Sequence, residues 1–209
     1  MDVLFNPDKY FREVKDKISY KIPLLIVTIS GVLGLINGYL IAKPMASAVV
    51  KMLIKKGITK EQAQMIAAFT QISTIGAPLV TTFVLWVVIA ATLHIVSSLF
   101  GGKGNFSTTL KLSAFSFIPN IILFPLNLYI SIKTIEILNI YGLEGLNSFE
   151  FKSTAILLGI VTLVWQYTYW VFVVKNAREL EIKKANIAAL VLLILFIIPI
   201  IYSSISIIH

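Results

Sequence analysis

Few side chains in this 209-residue chain can do chemistry, and those inside its apolar stretches are neutral or nearly so. Asn120, Asn127 and Gln166 carry amides, and His94 is the one imidazole within these stretches. Amides donate and accept hydrogen bonds without titrating. Such a set can hold a polar solute or add to an ion's shell, but it cannot relay protons through acids. Catalysis needs positioned acids, bases or nucleophiles. Here there is no cysteine and there are only two histidines, His94 and His209. No H-E-x-x-H, G-x-S-x-G or P-loop pattern occurs, and no pair of carboxylates lies within an apolar run. The sequence therefore predicts no enzyme, no metal site and no cofactor.

The elements that must position these groups are set by charge spacing. Between Lys21 and Lys43, Glu61 and Lys103, Lys111 and Lys133, Lys152 and Lys175, and Lys184 and His209, no Asp, Glu, Lys or Arg occurs. A hydrocarbon core of roughly 30 Å needs about 20 apolar residues in a helix, so each gap is long enough to span. Hydrophobic residues make up 57% of the chain and charged residues 13%, against about 25% charged in soluble domains. The fold class is all-α: one polytopic transmembrane helix bundle of five spans with interfacial amphipathic helices. The formal charge of +8 comes from basic residues flanking the apolar runs, the pattern of interfacial anchors rather than of a nucleic-acid face.

Along the chain, Asn6-Pro7 reads as an N-cap and first-turn proline. It opens an amphipathic helix over 7–19 that either lies in the interface or docks on the bundle. The first span is 22–42; its Gly31, Gly34 and Gly38 allow close helix approach, read as packing within the monomer. Pro44 and Gly57 bound a helix, and Thr59-x-x-Gln62 fits the start of another, giving an amphipathic hairpin over 44–73 on the membrane surface. Its Lys51, Lys55 and Lys56, with Lys103, are candidate contacts for anionic headgroups; solvated lysines are the plainer reading. Residues 62–102 would make about 60 Å of helix. Gly76-Ala77-Pro78 therefore reads as a break, and the second span as 78–100. The third span, 107–132, is broken by Pro119 and Pro125. The fourth is 153–174, whose Trp and Tyr residues near Lys175 suit an interfacial aromatic belt. The fifth is 185–207.

A proline-broken span with polar side chains is where transporters often place a site. His94, Asn120, Asn127 and Gln166 are the candidate intramembrane polar site; the plainer reading is a kinked helix whose asparagines satisfy the backbone groups that the prolines free. A polar cavity at mid-membrane would favour a transporter or channel; a tightly packed apolar bundle would favour a membrane-organising role. With the N-terminus inside, 11 of the 18 Lys and Arg fall on the cytoplasmic side and 7 outside. The positive-inside rule then puts the N-terminus in the cytoplasm and the C-terminus outside, with the cell membrane as the expected location. No cleavable signal is expected.

Gly76-Ala77-Pro78-Leu79, Gly101-Gly102-Lys103-Gly104-x-Phe106-x-x-Thr109-Leu110 and Ala114-Phe115-Ser116-Phe117-x-Pro119 follow the Asn6-Pro7 start. In this order and on five spans, they resemble the Yip1 domain family over nearly the whole chain. The resemblance gives Pro7, Gly76, Pro78, Gly101, Gly102, Gly104 and Pro119 structural roles. It implies a five-span membrane protein with a cytosolic N-terminus, related to eukaryotic members that act in vesicle trafficking and bind Rab-type small GTPases and one another. This chain lacks their long polar N-terminal region and their acidic sequence before the proline at position 78, which weighs against GTPase binding. Its short loops and Ile/Lys-rich composition suit a prokaryotic, archaeal member. The expected function is a non-enzymatic scaffold or lipid-interacting, membrane-organising protein, with a small transporter or channel as the alternative. Membrane lipids, a second copy of the chain or other membrane proteins are the expected partners, and nucleic acid is not.

Overall fold

The computed structural model describes residues 2–205, with side chains from 3 to 201. The end of the fifth expected span, 206–207, and His209 lie outside the described residues. Two short helices, α1 (Asp2–Phe5) and α2 (Pro7–Val14), lead into two very long ones, α3 (Lys21–Lys55) and α4 (Lys60–Leu99). Then come α5 (Phe106–Ser113), a 3-10 turn (Ala114–Phe117), α6 (Ile118–Ile122) and α7 (Phe124–Tyr141). A second 3-10 turn (Glu144–Asn147) precedes α8 (Phe149–Ala177) and α9 (Ile182–Ile205).

Four of these helices (α3, α4, α8 and α9) are long and apolar enough to cross a bilayer. The segment 106–141, bent by 55°, is a fifth if counted as one span. Contacts at the helix ends fix its direction. Ser107 bonds Tyr20 at 2.9 Å and Lys111 donates to the Ile18 carbonyl at 3.0 Å, both beside the start of α3. Glu144 pairs with Lys55 at 3.4 Å, at the end of α3. The bent segment thus runs from one end of α3 to the other, and α8 returns to the first end, where Lys175 meets Asp8 at 2.7 Å. Large apolar residues such as Leu25, Val84, Leu157 and Leu195 face outward, as a bundle solvated by lipid requires.

The surface hairpin expected over 44–73 is instead the paired ends of α3 and α4, and the break expected at Gly76-Ala77-Pro78 is absent. Neither Pro44 nor Pro78 ends its helix. At 1.5 Å per residue, helices of 35 and 40 residues reach about 52 and 60 Å. They overshoot the hydrocarbon core, and the excess lies around the turn at Gly57, whose φ of 84° suits glycine. Proline inside a helix removes the bond to the carbonyl four residues earlier, which for Pro78 is that of Thr74. That carbonyl faces Gly38 of α3 so closely that a Cβ on Gly38 would overlap its oxygen. Gly34 lies against Pro78 and Gly31 against Leu79. The glycine stripe is therefore an internal α3–α4 seam, and its close contact shelters the backbone group the proline frees.

The amphipathic start is shorter than the expected 7–19 and docks on protein. Asn6 caps it, accepting from the Lys9 amide. Phe11 is fully buried, 5.5 Å from the Phe115 ring and 6.2 Å from Tyr169. Tyr169 and Trp170 belong to this same core and are buried, so two of the aromatics expected as a belt near Lys175 are interior, while Trp165 and Tyr167 are half-buried. Amphipathicity marks an apolar face but does not say whether lipid or protein covers it.

Asp8 ties this helix down, accepting from Lys175 Nζ at 2.7 Å and Asn176 Nδ2 at 3.0 Å. Burial alone would raise its pKa. The bonds from Lys175 and Asn176 and the charges of Lys175 and Arg12 outweigh burial and hold the carboxyl below its usual value. A depressed folded pKa gives stabilisation that is complete above the ordinary carboxylate pKa of about 3.9 and lost as pH falls through the lower folded value. Protection of the α2 amides, measured against their intrinsic exchange rates, is therefore expected to hold at neutral pH and to fall below about pH 4. Asp8→Asn should weaken docking by about 1–3 kcal/mol and remove that acid dependence. Unchanged exchange in the variant would refute the tether.

Candidate functional site

The two prolines of the bent segment sit at helix starts, where a missing N–H leaves no bond unmade. Pro119 lies in the first turn of α6 and Pro125 in that of α7. Leu123 is the joint between them. Its carbonyl accepts the amides of Leu126 and Asn127 and also Asn127 Nδ2, at 3.2 Å. The bend carries α7 away from a straight path, and a cavity of about 500 Å³ opens where α3, α4, α6, α7, α8 and α9 converge.

Its polar wall comes from every side except α9. Ser30 and Asn37 of α3 are seven residues apart on one face, and Thr82 comes from α4. Asn120 and Asn127 flank the joint, while Thr162 and Gln166 stand one turn apart on α8. Gln166 Nε2 donates to Asn120 Oδ1 at 3.1 Å, bridging α8 to α6. Phe196 and Ile200 of α9 supply apolar wall. Each polar residue lies inside an uncharged run, at least six residues from the nearest charged residue in the sequence, so the cavity falls within the apolar part of the bundle. No acid, base or histidine lines it, and among the described residues no cluster of three or more His, Cys, Asp or Glu could hold a metal. The chemistry such a wall supports is hydrogen-bonded binding.

Of the four residues expected to form this site, Asn120, Asn127 and Gln166 come together and His94 does not. His94 lies at the loop end of α4, its Nδ1 3.3 Å from Thr109 Oγ1 and its ring edge-on to Phe106 at 5.5 Å. The cavity takes Thr82 from α4, twelve residues earlier, so His94 stands too close to the end of its helix to reach it. Asn37, Ser30, Thr82 and Thr162 were missed. The readable signal was the run Ser30, Gly34, Asn37, a polar stripe at helical spacing that the glycines alone had explained as packing.

The Gly101–Gly104 turn is a clamp on the α8–α9 corner. Arg178 is buried and donates to Ser97 Oγ (2.9 Å), Ser98 Oγ (2.8 Å) and the Gly102 carbonyl (2.7 Å). Burial lowers its pKa, and among the described residues no carboxylate pairs with it. The Lys103 amide returns a bond to the Arg178 carbonyl at 3.0 Å. Gly104 packs so tightly on the Ala177 carbonyl that a Cβ would overlap it, whereas a Cβ on Gly102 would make a tight contact, 3.0 Å from the Ser97 carbonyl oxygen and 3.1 Å from Arg178. Gly101, with φ of 84°, and Gly76 meet nothing where a Cβ would be. Lys51, Lys55, Lys56 and Lys103 are all exposed; the first three are not gathered with the cavity but stand at the far turn.

A multi-pass helical membrane protein with a broken span and a neutral polar cavity is the class defined by this architecture. The Yip1 domain model matches residues 1–203, and the chain belongs to the Yip1 family. It is 34% identical over 123 residues to the uncharacterized protein MJ0794 of Methanocaldococcus jannaschii, covering 58% of this chain and 80% of that protein. That likeness is consistent with an archaeal member. No solved structure matches the chain.

Proposed function

We propose that this Yip1-family protein is a non-enzymatic membrane protein that binds an uncharged polar group inside the bilayer, at the broken span. The observation that carries this reading is the cavity within the apolar part of the bundle. In lipid, unpaired polar groups are costly, and a wall of amides and hydroxyls around 500 Å³ of space calls for an occupant that bonds to them. The absence of charged groups in that wall favours binding or passage over coupled transport, which normally uses an intramembrane ionisable residue. The excess of Lys and Arg on the side holding the N-terminus supports a cytoplasmic N-terminus.

The test is ligand-dependent thermal stability of the purified protein against a panel of polar solutes and lipids. At about 100 times Kd a bound ligand adds about 2.7 kcal/mol. A stabilising compound is expected within the panel, and Asn120→Ala should abolish its effect by removing the Gln166 bridge. No response across the panel would refute the reading.

Membrane organisation is a second reading. It is favoured by the exposed Lys51, Lys55 and Lys56 at the turn of the α3–α4 hairpin, which extends past the apolar runs and offers charge to anionic headgroups. A link to trafficking would belong to this second role.

A further inference from the structure

The cavity wall is uneven in what it has left to offer. Thr82 Oγ1 donates to the Pro78 carbonyl and Thr162 Oγ1 to the Leu158 carbonyl, both at 2.8 Å. Asn127 Nδ2 donates to the Leu123 carbonyl and Gln166 Nε2 to Asn120 Oδ1. Each of these residues has committed a donor to the protein and keeps acceptor lone pairs. The Asn127 orientation is forced, because a carbonyl can take only a donor. Asn37 Oδ1 is buried with no partner at all. The donors left in the wall are the Asn120 and Asn37 amino groups, the Ser30 hydroxyl and the second N–H of Asn127 and Gln166.

An anionic group would meet several oxygen lone pairs here and no cation to offset its charge. A cation would find acceptors but no counter-charge, and an isolated charge at mid-bilayer costs at least about 2.5–3.5 kcal/mol. An uncharged group rich in O–H bonds meets neither objection: it donates to the amide and threonine oxygens and accepts from Asn120. The volume is many times the roughly 30 Å³ share of one water, so it admits a group of several hydroxyls with its carbon frame against the apolar α9 wall. Resting on the binding role proposed above, we infer that the cavity receives an uncharged polyhydroxyl group, carried on a lipid headgroup or free as a polyol.

Native mass spectrometry of the full chain released from phosphatidylcholine nanodiscs tests this. The probes are monogalactosyl diacylglycerol, free myo-inositol, phosphatidic acid and dodecyltrimethylammonium. Retention of the galactolipid or of inositol is expected to exceed that of both charged probes by about tenfold, near 1.4 kcal/mol. Which of the two is retained identifies the source as lipid or free solute. Gly159 borders the cavity, and a Cβ there would meet only Ile200 Cδ1, at 4.0 Å. Gly159→Leu therefore fills the space without disturbing any polar contact and should abolish retention, while Asn127→Leu should reduce it. If a charged probe is retained as well as the neutral ones and is lost in Gly159→Leu, the polyhydroxyl assignment fails and the binding cavity stands. If no probe is retained, or retention ignores both substitutions, both fail.

Discussion

Gly104→Ala is expected to destabilise the protein by about 3–5 kcal/mol, combining overpacking against backbone with loss of bonds to a buried cation. The added methyl would occupy the place of the Ala177 carbonyl oxygen, and backbone cannot rotate aside as a side chain can. Either the turn or the end of α8 must withdraw. Withdrawal breaks the Lys103 amide bond to Arg178 and the Arg178 bond to the Gly102 carbonyl. The guanidinium is then left buried with two serine hydroxyls and no carboxylate. Gly101→Ala, three residues earlier in the same turn, is the control. It carries a positive φ but has open space around it, so it should cost only about 1–2 kcal/mol of backbone strain. Reversible unfolding in mixed micelles measures both. Equal losses would show that the turn matters for its conformation and not for its contact with α8.

Gly38→Ala and Gly76→Ala should have opposite signs although both lie on the α3–α4 pair. At Gly38 a Cβ would overlap the Thr74 oxygen, the carbonyl left without its helical partner by Pro78. The helices must part, exposing that group to lipid, with an expected loss of about 2–4 kcal/mol. At Gly76 nothing lies within 4 Å, and alanine in a helix interior gains about 1 kcal/mol over glycine. Parting the helices also moves Ser30 and Asn37, so Gly38→Ala should weaken ligand-dependent stabilisation as well. The same unfolding titration reads both variants, and a Gly38→Ala protein as stable as the parent would refute the sheltered-carbonyl account.

The membrane reading was legible because it depends on length and charge alone: each span lies in an uncharged run. Helix continuity was not. Whether Pro78 breaks a helix depends on what meets the Thr74 carbonyl, and that is set by Gly38, forty residues earlier in the chain. Three of the seven polar wall residues could be read, since Asn120, Asn127 and Gln166 stand out in apolar runs. Asn37 did not, because the glycines beside it gave its face a sufficient explanation. His94 was misplaced because it was grouped by being a polar residue in an apolar run, although it lies near the end of that run and the cavity meets α4 at Thr82. The clamp at Arg178 was hidden by its place in a charged connection, where an exposed side chain is the ordinary expectation.

The claim that a polar group can enter the apolar part of the bundle is tested most directly with thiol chemistry, since the chain has no cysteine of its own. Thiols react as thiolates and so need a polar, accessible setting. Gly159→Cys places a thiol in the cavity wall, and Leu157→Cys places one at similar depth on the outer face, where Leu157 is 64% exposed to the lipid side. In liposomes, a small neutral hydrophilic methanethiosulfonate should modify the Gly159→Cys protein and leave the Leu157→Cys protein unmodified. Equal modification of the two, or none of the Gly159→Cys protein, would contradict a hydrated cavity at the broken span.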